Sequence, residues 1–151
     1  MTDRRTFLAG TGATLLVAGC LGPTGPGNLT VRTQGSAGMN PGPDGTDRPL
    51  TLTVVQLTSP AAFDSADYFA LQDPGVALGA TLLKANQIVV QPGASASTAI
   101  PMEDNVAVIG VIAGYRDPAG KVFRAKTAAP AKGDAGIIVS VTPTGVTVAG
   151  A

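Results

Sequence analysis

A single cysteine is the residue best placed for covalent chemistry in this 151-residue chain. Cys20 closes the run Leu16-Val17-Ala18-Gly19-Cys20, in which small residues directly precede the thiol. This pattern is typical of a bacterial lipobox. There the cysteine sulfur takes a diacylglycerol, a peptidase cuts just before the cysteine, and the new amine is acylated in turn. The sequence therefore predicts lipidation at Cys20 and no cofactor other than that covalent lipid.

Residues 1–19 have the organisation of a signal peptide that ends in this lipobox. Arg4 and Arg5 supply a positive start, and the apolar stretch of residues 7–17 is too short for a membrane-spanning helix of about 20 residues. The arginine pair also fits a twin-arginine export signal. The Sec and twin-arginine routes therefore both stay open.

The residues around the cysteine also indicate where the mature protein resides. A buried core thiol is the alternative for Cys20, but residues 20–27 are rich in glycine and proline and are predicted to form a flexible tether after it. Leu21, rather than the aspartate that signals inner-membrane retention in many Gram-negative bacteria, follows the cysteine. We therefore expect anchoring at the outer membrane, with the domain facing the periplasm.

Two groups of carboxylates could do acid–base or metal chemistry. Asp64 and Asp67 lie three residues apart in a predicted helix, and Asp44-Gly45-Thr46-Asp47 superficially resembles part of a calcium loop. Paired carboxylates catalyse only beside a substrate cleft, and the second segment lacks the glutamate and the ligand spacing of an EF-hand. We predict a solvated helix face for the first pair and a turn for the second segment.

Composition narrows the function classes further. The chain has no histidine and one cysteine, which excludes imidazole-based catalysis, Cys/His zinc sites and internal disulfides. We therefore predict no catalytic residues, no metal site and no enzymatic activity. Ten basic and ten acidic side chains give a net charge of zero, so a phosphate-binding surface for nucleic acid is not expected.

Residues 28–151 are predicted to form an all-β domain. Alternation of apolar and polar residues is clearest in Leu50–Leu57, and the continuously apolar run Val106–Ala113 indicates a central strand covered on both faces. About eight short strands with turn signals between them fit a two-sheet β-sandwich. The other predicted strands are Leu29–Thr33, Asn86–Gln91, Ser97–Ile100, Val122–Lys126, Ile137–Thr142 and Val146–Val148.

A helical insertion at about residues 60–83 interrupts this pattern. Ser59-Pro60 and Asp73-Pro74 are typical helix starts, which predicts one helix over 61–70 and a second over 75–83. Two sets of apolar residues are expected to face the core, and the aromatic rings are expected to belong to it as well. The sets are Ala62, Ala66, Phe69 and Ala70 in the first helix and Leu78, Leu82 and Leu83 in the second; the aromatics are Tyr68, Phe69 and Phe123.

The segment Ser36–Arg48 is long for a connection between neighbouring strands, and loops of about this length are often functional. Pro41 and Pro43 inside it and Pro49 after it limit its freedom and lower the entropy lost on binding. A plain surface loop is the alternative.

Several of these segments, in order, resemble the TssJ family, the outer-membrane lipoproteins of type VI secretion systems. The similarity covers about residues 28–129 and accompanies the lipobox. The matching segments are Asn40–Leu50, Val55–Leu57, Phe63–Leu71, Gln91–Gly93 and Val108–Asp117.

The resemblance implies a transthyretin-like β-sandwich with a small helical addition and no enzymatic activity. It also implies a lipid-anchored structural adaptor that binds the periplasmic C-terminal region of the inner-membrane protein TssM, with TssL as the third member of the complex. In that family the loop between the first two strands contacts TssM. Carried over to this chain, the loop gives the contact residues Met39, Asn40, Pro41, Asp44, Gly45, Asp47 and Arg48.

The chain departs from the family pattern in places. Phe123 stands where the family leads us to expect tryptophan, and the tail after Lys126 is less recognisable, so its strands depend on the pattern alone. Two rival functions remain at this point. One is a periplasmic lipoprotein that binds a small ligand or a glycan, and the other is a hydrolase that uses carboxylates.

Overall fold

Two four-stranded sheets pack face to face in the computed structural model, which describes residues 26–130 and 133–151. The first sheet has the order β4-β1-β7-β8 and the second the order β3-β2-β5-β6. The expected two-sheet β-sandwich is thus confirmed. The strands are β1 Pro26–Gly35, β2 Leu50–Leu57, β3 Leu82–Val90, β4 Ser95–Pro101, β5 Val108–Ala113, β6 Arg124–Ala128, β7 Gly133–Thr142 and β8 Gly145–Gly150.

The alternation that predicted β2 is explained by its place in the sheet. Leu50, Leu52 and Val54 point into the main core between the sheets, while Val55 and Leu57 point to the opposite face, under the helical insertion. β5 pairs with both β2 and β6, and Ile109 to Ala113 are all buried. A strand covered on both faces has no polar side, which is why this sequence is apolar throughout.

The sandwich has two ends that differ in what they carry. β1 starts at Pro26 and runs to the β1–β2 loop, residues 36–49. We call the end of the sandwich at Pro26 the tether end and the end at this loop the loop end. The β3–β4, β5–β6 and β7–β8 connections also lie at the loop end, as the antiparallel pairings require. Pro26 and Gly27 belong to β1, so the strand includes the last two residues of the predicted tether. The predicted signal peptide, Cys20 and the rest of the predicted tether lie outside the described residues.

The helical insertion covers the outer face of the second sheet, but it consists of shorter pieces than the sequence predicted. Its helices are α1 Ala61–Ser65, α2 Tyr68–Leu71 and α3 Pro74–Leu78, followed by a 3-10 turn at Gly79–Thr81. Ala66 has an extended backbone, with φ −71° and ψ 144°, and Asp67 caps a new helix by accepting a hydrogen bond from the Ala70 N–H at 2.7 Å. The single helix predicted over 61–70 is therefore wrong.

The break in the helix also overturns the predicted buried face. Phe69 is 80% exposed and Ala70 is exposed, whereas Phe63 and Leu71 provide the buried contacts. Leu78 is buried as expected, but Leu82 and Leu83 belong to β3 and are half-buried. The predicted buried face assumes helical spacing across Ala66, where the chain is extended. It therefore places the residues after Ala66 on the wrong side.

Specific contacts hold the insertion against the sheet. A Cβ on Gly110 would lie 2.8 Å from the Phe63 ring, so glycine lets α1 approach β5 closely. The Arg124 guanidinium donates to the Phe63 carbonyl at 2.8 Å and to the Ala66 carbonyl, which satisfies acceptors at the end of α1.

The two sides of the sandwich are unlike. On one side β6 and β8 approach each other, and Val146 donates its N–H to the Val122 carbonyl at 2.9 Å, which links the sheets. On the other side β3 and β4 are the edge strands, and only the short 91–94 connection and a few contacts join them. The β6–β8 side of the sandwich is therefore closed by contacts between the sheets, and the β3–β4 side is open.

Candidate partner-binding loop

The base of the β1–β2 loop is part of the domain interior. Met39 is fully buried in the main core, and Asn40 is only 5% exposed. The Asn40 side chain accepts a hydrogen bond from the Arg116 N–H at 2.9 Å and donates one to the Pro49 carbonyl at 3.1 Å. Its main chain accepts from the Arg48 N–H at 3.0 Å. One asparagine thus joins both ends of the loop to the β5–β6 connection.

Asp47 closes the base from the other strand of the loop. Its carboxylate accepts hydrogen bonds from the N–H groups of Gly38 and Asn40, the latter at 3.1 Å. An antiparallel bridge between Pro41 and Asp47 follows directly. Hydrogen bonds from backbone amides to an ionised carboxylate are among the stronger ones in proteins, so Asp47 acts as an internal brace.

The tip of the loop, residues 41–46, is a small folded unit that projects from this base. Gly42 donates to the Thr46 carbonyl at 2.8 Å, and Gly45, at φ +78°, donates to the Gly42 carbonyl at 3.0 Å. Asp44 accepts from the Thr46 N–H at 3.1 Å and forms an exposed ion pair with Arg48 at 3.5 Å. The hydrogen bond from Thr46 is the main cause that lowers the pKa of the Asp44 carboxyl.

The structure divides the seven predicted contact residues into two groups. Met39 and Asn40 are buried, so their side chains are not accessible to a partner in this structure, and their place in a partner-binding loop stays a prediction. Asp47 is half-buried and already bonded. Pro41, Asp44, Gly45 and Arg48 are exposed and lie together at the tip and its edge. The structure contains no partner chain, so a contact role for these four stays a prediction.

Tyr115 is a structural residue of the loop end that the sequence analysis did not assign. It is 1% exposed, and its hydroxyl donates to the Thr142 carbonyl at 2.8 Å, which ties the β5–β6 connection to β7. The Tyr68 hydroxyl in turn donates to the Tyr115 carbonyl. Burial raises the pKa of Tyr115 to about 12. A lone tyrosine at the end of the apolar β5 run was the available signal.

The aromatic residues of the insertion meet the same end of the sandwich. Tyr68 stacks edge-to-face on Phe123, with ring centroids 5.3 Å apart, and on Phe69 at 5.5 Å. Phe123 packs against both hydrophobic clusters, and Tyr68 is half-buried, whereas the exposed Phe69 does not belong to the core. The core expectation is thus wrong for Phe69.

The predicted carboxylate pairs have structural partners. Asp64 forms an ion pair with Lys126 at 2.5 Å, and Asp67 caps α2. Within residues 26–130 and 133–151, no group of three or more acidic, histidine or cysteine side chains is placed to hold a metal ion. None of the described helices is both long and apolar enough to cross a membrane.

Comparison with known proteins supplies the family. A sequence model described as type VI secretion lipoprotein (VasD, EvfM, TssJ) matches residues 27–144. Comparison with curated proteins gave no match.

Solved structures have the same fold. The type VI secretion lipoprotein TssJ1 from Pseudomonas aeruginosa aligns with a TM-score of 0.74 and 22% identity, covering 83% of this chain and 97% of that one. Serratia marcescens Lip, a membrane-bound component of the type VI secretion system, aligns at 0.75 and 23%, covering 82% and 98%. A chain in the structure of the TssM C-terminal domain from EAEC aligns at 0.64 and 19%, covering 82% and 98%.

The family model matches the chain from Gly27 in β1 to the end of β7, including the helical insertion and the β1–β2 loop with its buried base and exposed tip; β8 follows the matched residues. This is a family of secretion-system lipoproteins and not a family of enzymes. The chain therefore belongs to the type VI secretion lipoprotein family that includes TssJ.

Proposed function

We propose that the protein is a lipid-anchored adaptor of a type VI secretion membrane complex. In this proposal Cys20 carries the lipid that holds the chain at the periplasmic face of the outer membrane. The loop tip binds the periplasmic C-terminal region of TssM, and through TssM the protein is linked indirectly to TssL. Family membership and the fold match in a structure of the TssM C-terminal domain support this assignment.

The observation that carries the proposal is the contrast between base and tip in the β1–β2 loop. Asn40 and Asp47 fix the base through five hydrogen bonds to the main chain of the loop and of the β5–β6 connection. The tip projects from this fixed base and, although exposed, has hydrogen bonds of its own between Gly42, Gly45 and Thr46. A binding loop that is ordered before it meets its partner loses less conformational entropy on binding. This arrangement suits protein recognition.

The position of the loop also suits an adaptor. β1 has ten residues and spans about 30 Å, so it places the tip at the opposite end of the sandwich from Pro26. A chain anchored through the residues before Pro26 presents the tip away from that attachment. The tip is then accessible to a partner that crosses the periplasm.

The binding role is tested by charge reversal at the tip. We expect the double variant Asp44→Lys, Arg48→Glu of the mature chain to bind the periplasmic TssM region of the same system at least about tenfold more weakly, as measured by calorimetry. The matched control Lys84→Glu, Asp104→Lys reverses two exposed charges elsewhere on the domain and should bind like the wild type. Equal affinity of the tip variant and the control would contradict the proposal.

The anchoring role is tested separately. Wild-type protein in its native host should incorporate labelled palmitate and fractionate with the outer membrane, and Cys20→Ser should do neither. Replacing Arg4 and Arg5 with lysine tests the export route, because twin-arginine export should fail and Sec export should continue. Fractionation of Cys20→Ser with the outer membrane would exclude the lipid as the anchor.

A further inference from the structure

β4 is an edge strand without the usual protection. It pairs with β1 in one unbroken register from Ser95 to Pro101 and has no bulge. Ser95 to Ile100 include no charged residue, and Ser95 to Ala99 are all exposed. Proteins normally protect such edges with charges, prolines or bulges, because a free edge pairs with other chains. Among the described residues no strand pairs with the far edge of β4.

Hydrogen bonds at the two ends of β4 identify which of its backbone groups face outward. Gly35 donates to the Ala94 carbonyl at 2.9 Å, and Met102 donates to the Gly27 carbonyl at 3.0 Å. In an antiparallel pair the residues bonded to the neighbouring strand alternate with residues whose N–H and C=O point away. Counting from either end gives the same outward set: Ser95, Ser97, Ala99 and Pro101.

The outward edge is blocked at the tether end and open at the loop end. Pro101 has no N–H, and its carbonyl accepts a hydrogen bond from the buried Gln56 side chain at 3.0 Å. The edge can therefore accept a new strand only along Ser95 to Ala99. This open part starts at the loop end, where the β1–β2 loop also lies.

A shallow depression accompanies the open part of the edge. It has a volume of about 350 Å³ and is lined by Arg32, Thr33, Gln34, Ser95, Ala96 and Ser97. Arg32 is exposed and has no ion pair among the described residues. The surface thus offers backbone hydrogen bonds, short side chains and one positive charge, which are the elements of recognition by strand addition.

We propose that an extended, acidic segment of the same periplasmic partner adds to β4 as a short fifth strand of the first sheet, along Ser95–Ala99 and with a carboxylate facing Arg32. This inference depends on the adaptor function proposed above. This segment would lie directly beside the loop end, and its negative charge would complement the positive charge of Arg32. A second copy of this chain fits less well, since antiparallel β4–β4 pairing turns the copies by 180° and places their Pro26 residues at opposite ends.

The test uses the mature chain and the periplasmic TssM region. Ser97→Pro removes one outward N–H and leaves the inward bonds of the neighbouring residues intact, so the edge strand tolerates it. We expect its affinity to fall about tenfold, the effect of losing one backbone hydrogen bond to the partner. The matched control Ser97→Ala keeps the N–H and should bind like the wild type. Arg32→Glu should weaken binding at least about fivefold.

Hydrogen exchange gives a direct readout, because the amides of Ser95, Ser97 and Ala99 should exchange more slowly in the complex. Circular dichroism and thermal melting establish that Ser97→Pro is folded. Wild-type affinity in Ser97→Pro and Arg32→Glu, with unchanged exchange, overturns this inference, and the adaptor function stands if the tip variant still fails to bind. If wild-type protein does not bind TssM, both proposals fall. A wild-type dimer that Ser97→Pro dissociates assigns the edge to a second copy and overturns the inference.

Discussion

The base and the tip of the β1–β2 loop have similar composition and opposite roles. Apart from Met39, both consist of small, polar and proline residues, yet Met39 and Asn40 are as buried as core residues, whereas Asp44 and Arg48 are exposed. In this loop the buried base and the exposed tip lie in one short segment, so contacts with the core hold the base from which the tip projects. Because base and tip differ in burial, point substitutions can change stability and partner binding separately, whereas deletion of the whole loop would change both.

The largest expected effect of a point substitution is at Met39. Truncation by Met39→Ala leaves a cavity between the sheets and should cost about 2–5 kcal/mol of unfolding free energy, measured by urea denaturation. Met39→Leu nearly conserves the volume and should cost less than about 1.5 kcal/mol. Equal stability of Met39→Ala and wild type would mean that the base does not belong to the core.

Asn40→Ala should have the next largest effect. It leaves the Arg116 N–H and the Pro49 carbonyl without their partner, and we expect a loss of about 1–3 kcal/mol in the same assay. Asn40→Asp retains the acceptor for Arg116 but loses the donor to Pro49, so its stability should lie between those of Asn40→Ala and wild type. An aspartate variant less stable than the alanine variant would contradict this assignment.

Substitutions at the tip should separate binding from stability. Arg48→Ala removes an exposed ion pair, and such pairs contribute little, so the unfolding free energy should change by less than about 0.5 kcal/mol. Affinity for the periplasmic TssM region should nevertheless fall at least about fivefold in calorimetry. A variant that loses stability and affinity together would show that base and tip are not independent.

The smallest effect concerns pH at the tip. The pKa of Asp44 in the folded protein is below its ordinary value of 3.8, mainly because its carboxylate accepts the Thr46 N–H. The contribution of this bond to stability is present above pH 3.8 and is lost as the pH falls through the lowered pKa. The Thr46 amide resonance should therefore titrate with a midpoint below 3.8 in NMR spectra and stay constant at neutral pH. A midpoint above 3.8 would contradict this bond.

The sequence predicts strand positions well where the burial of one strand face determines which residue types occur there. Leu50–Leu57 has the predicted bounds because its side chains alternate between two environments, and the eight predicted strands all occur. β1 and β7 begin before their predicted limits, since backbone pairing includes residues 26–28 and 133–136, where the side-chain pattern is weak.

The sequence predicts the helical insertion and the β1–β2 loop less well, because contacts with residues distant in the sequence determine their structure. Nothing local requires Ala66 to be extended; Arg124, 58 residues away, bonds its carbonyl. Asn40 looks like a surface residue in a polar loop until Arg116 is placed beside it. Met39, the one large apolar residue between Gly35 and Pro49, was the signal that the loop returns to the core.

The central position of β1 has a mechanical consequence. This strand is flanked by β4 and β7 and connects Pro26 directly to the loop. A force applied between the chain before Pro26 and the loop tip acts along the strand, so the backbone bonds to both neighbours are loaded in shear and share the force. Peeling, in which bonds break one after another, is avoided. Under the proposed function, with the chain anchored before Pro26 and bound at the loop tip, this arrangement would resist tension between the two attachments.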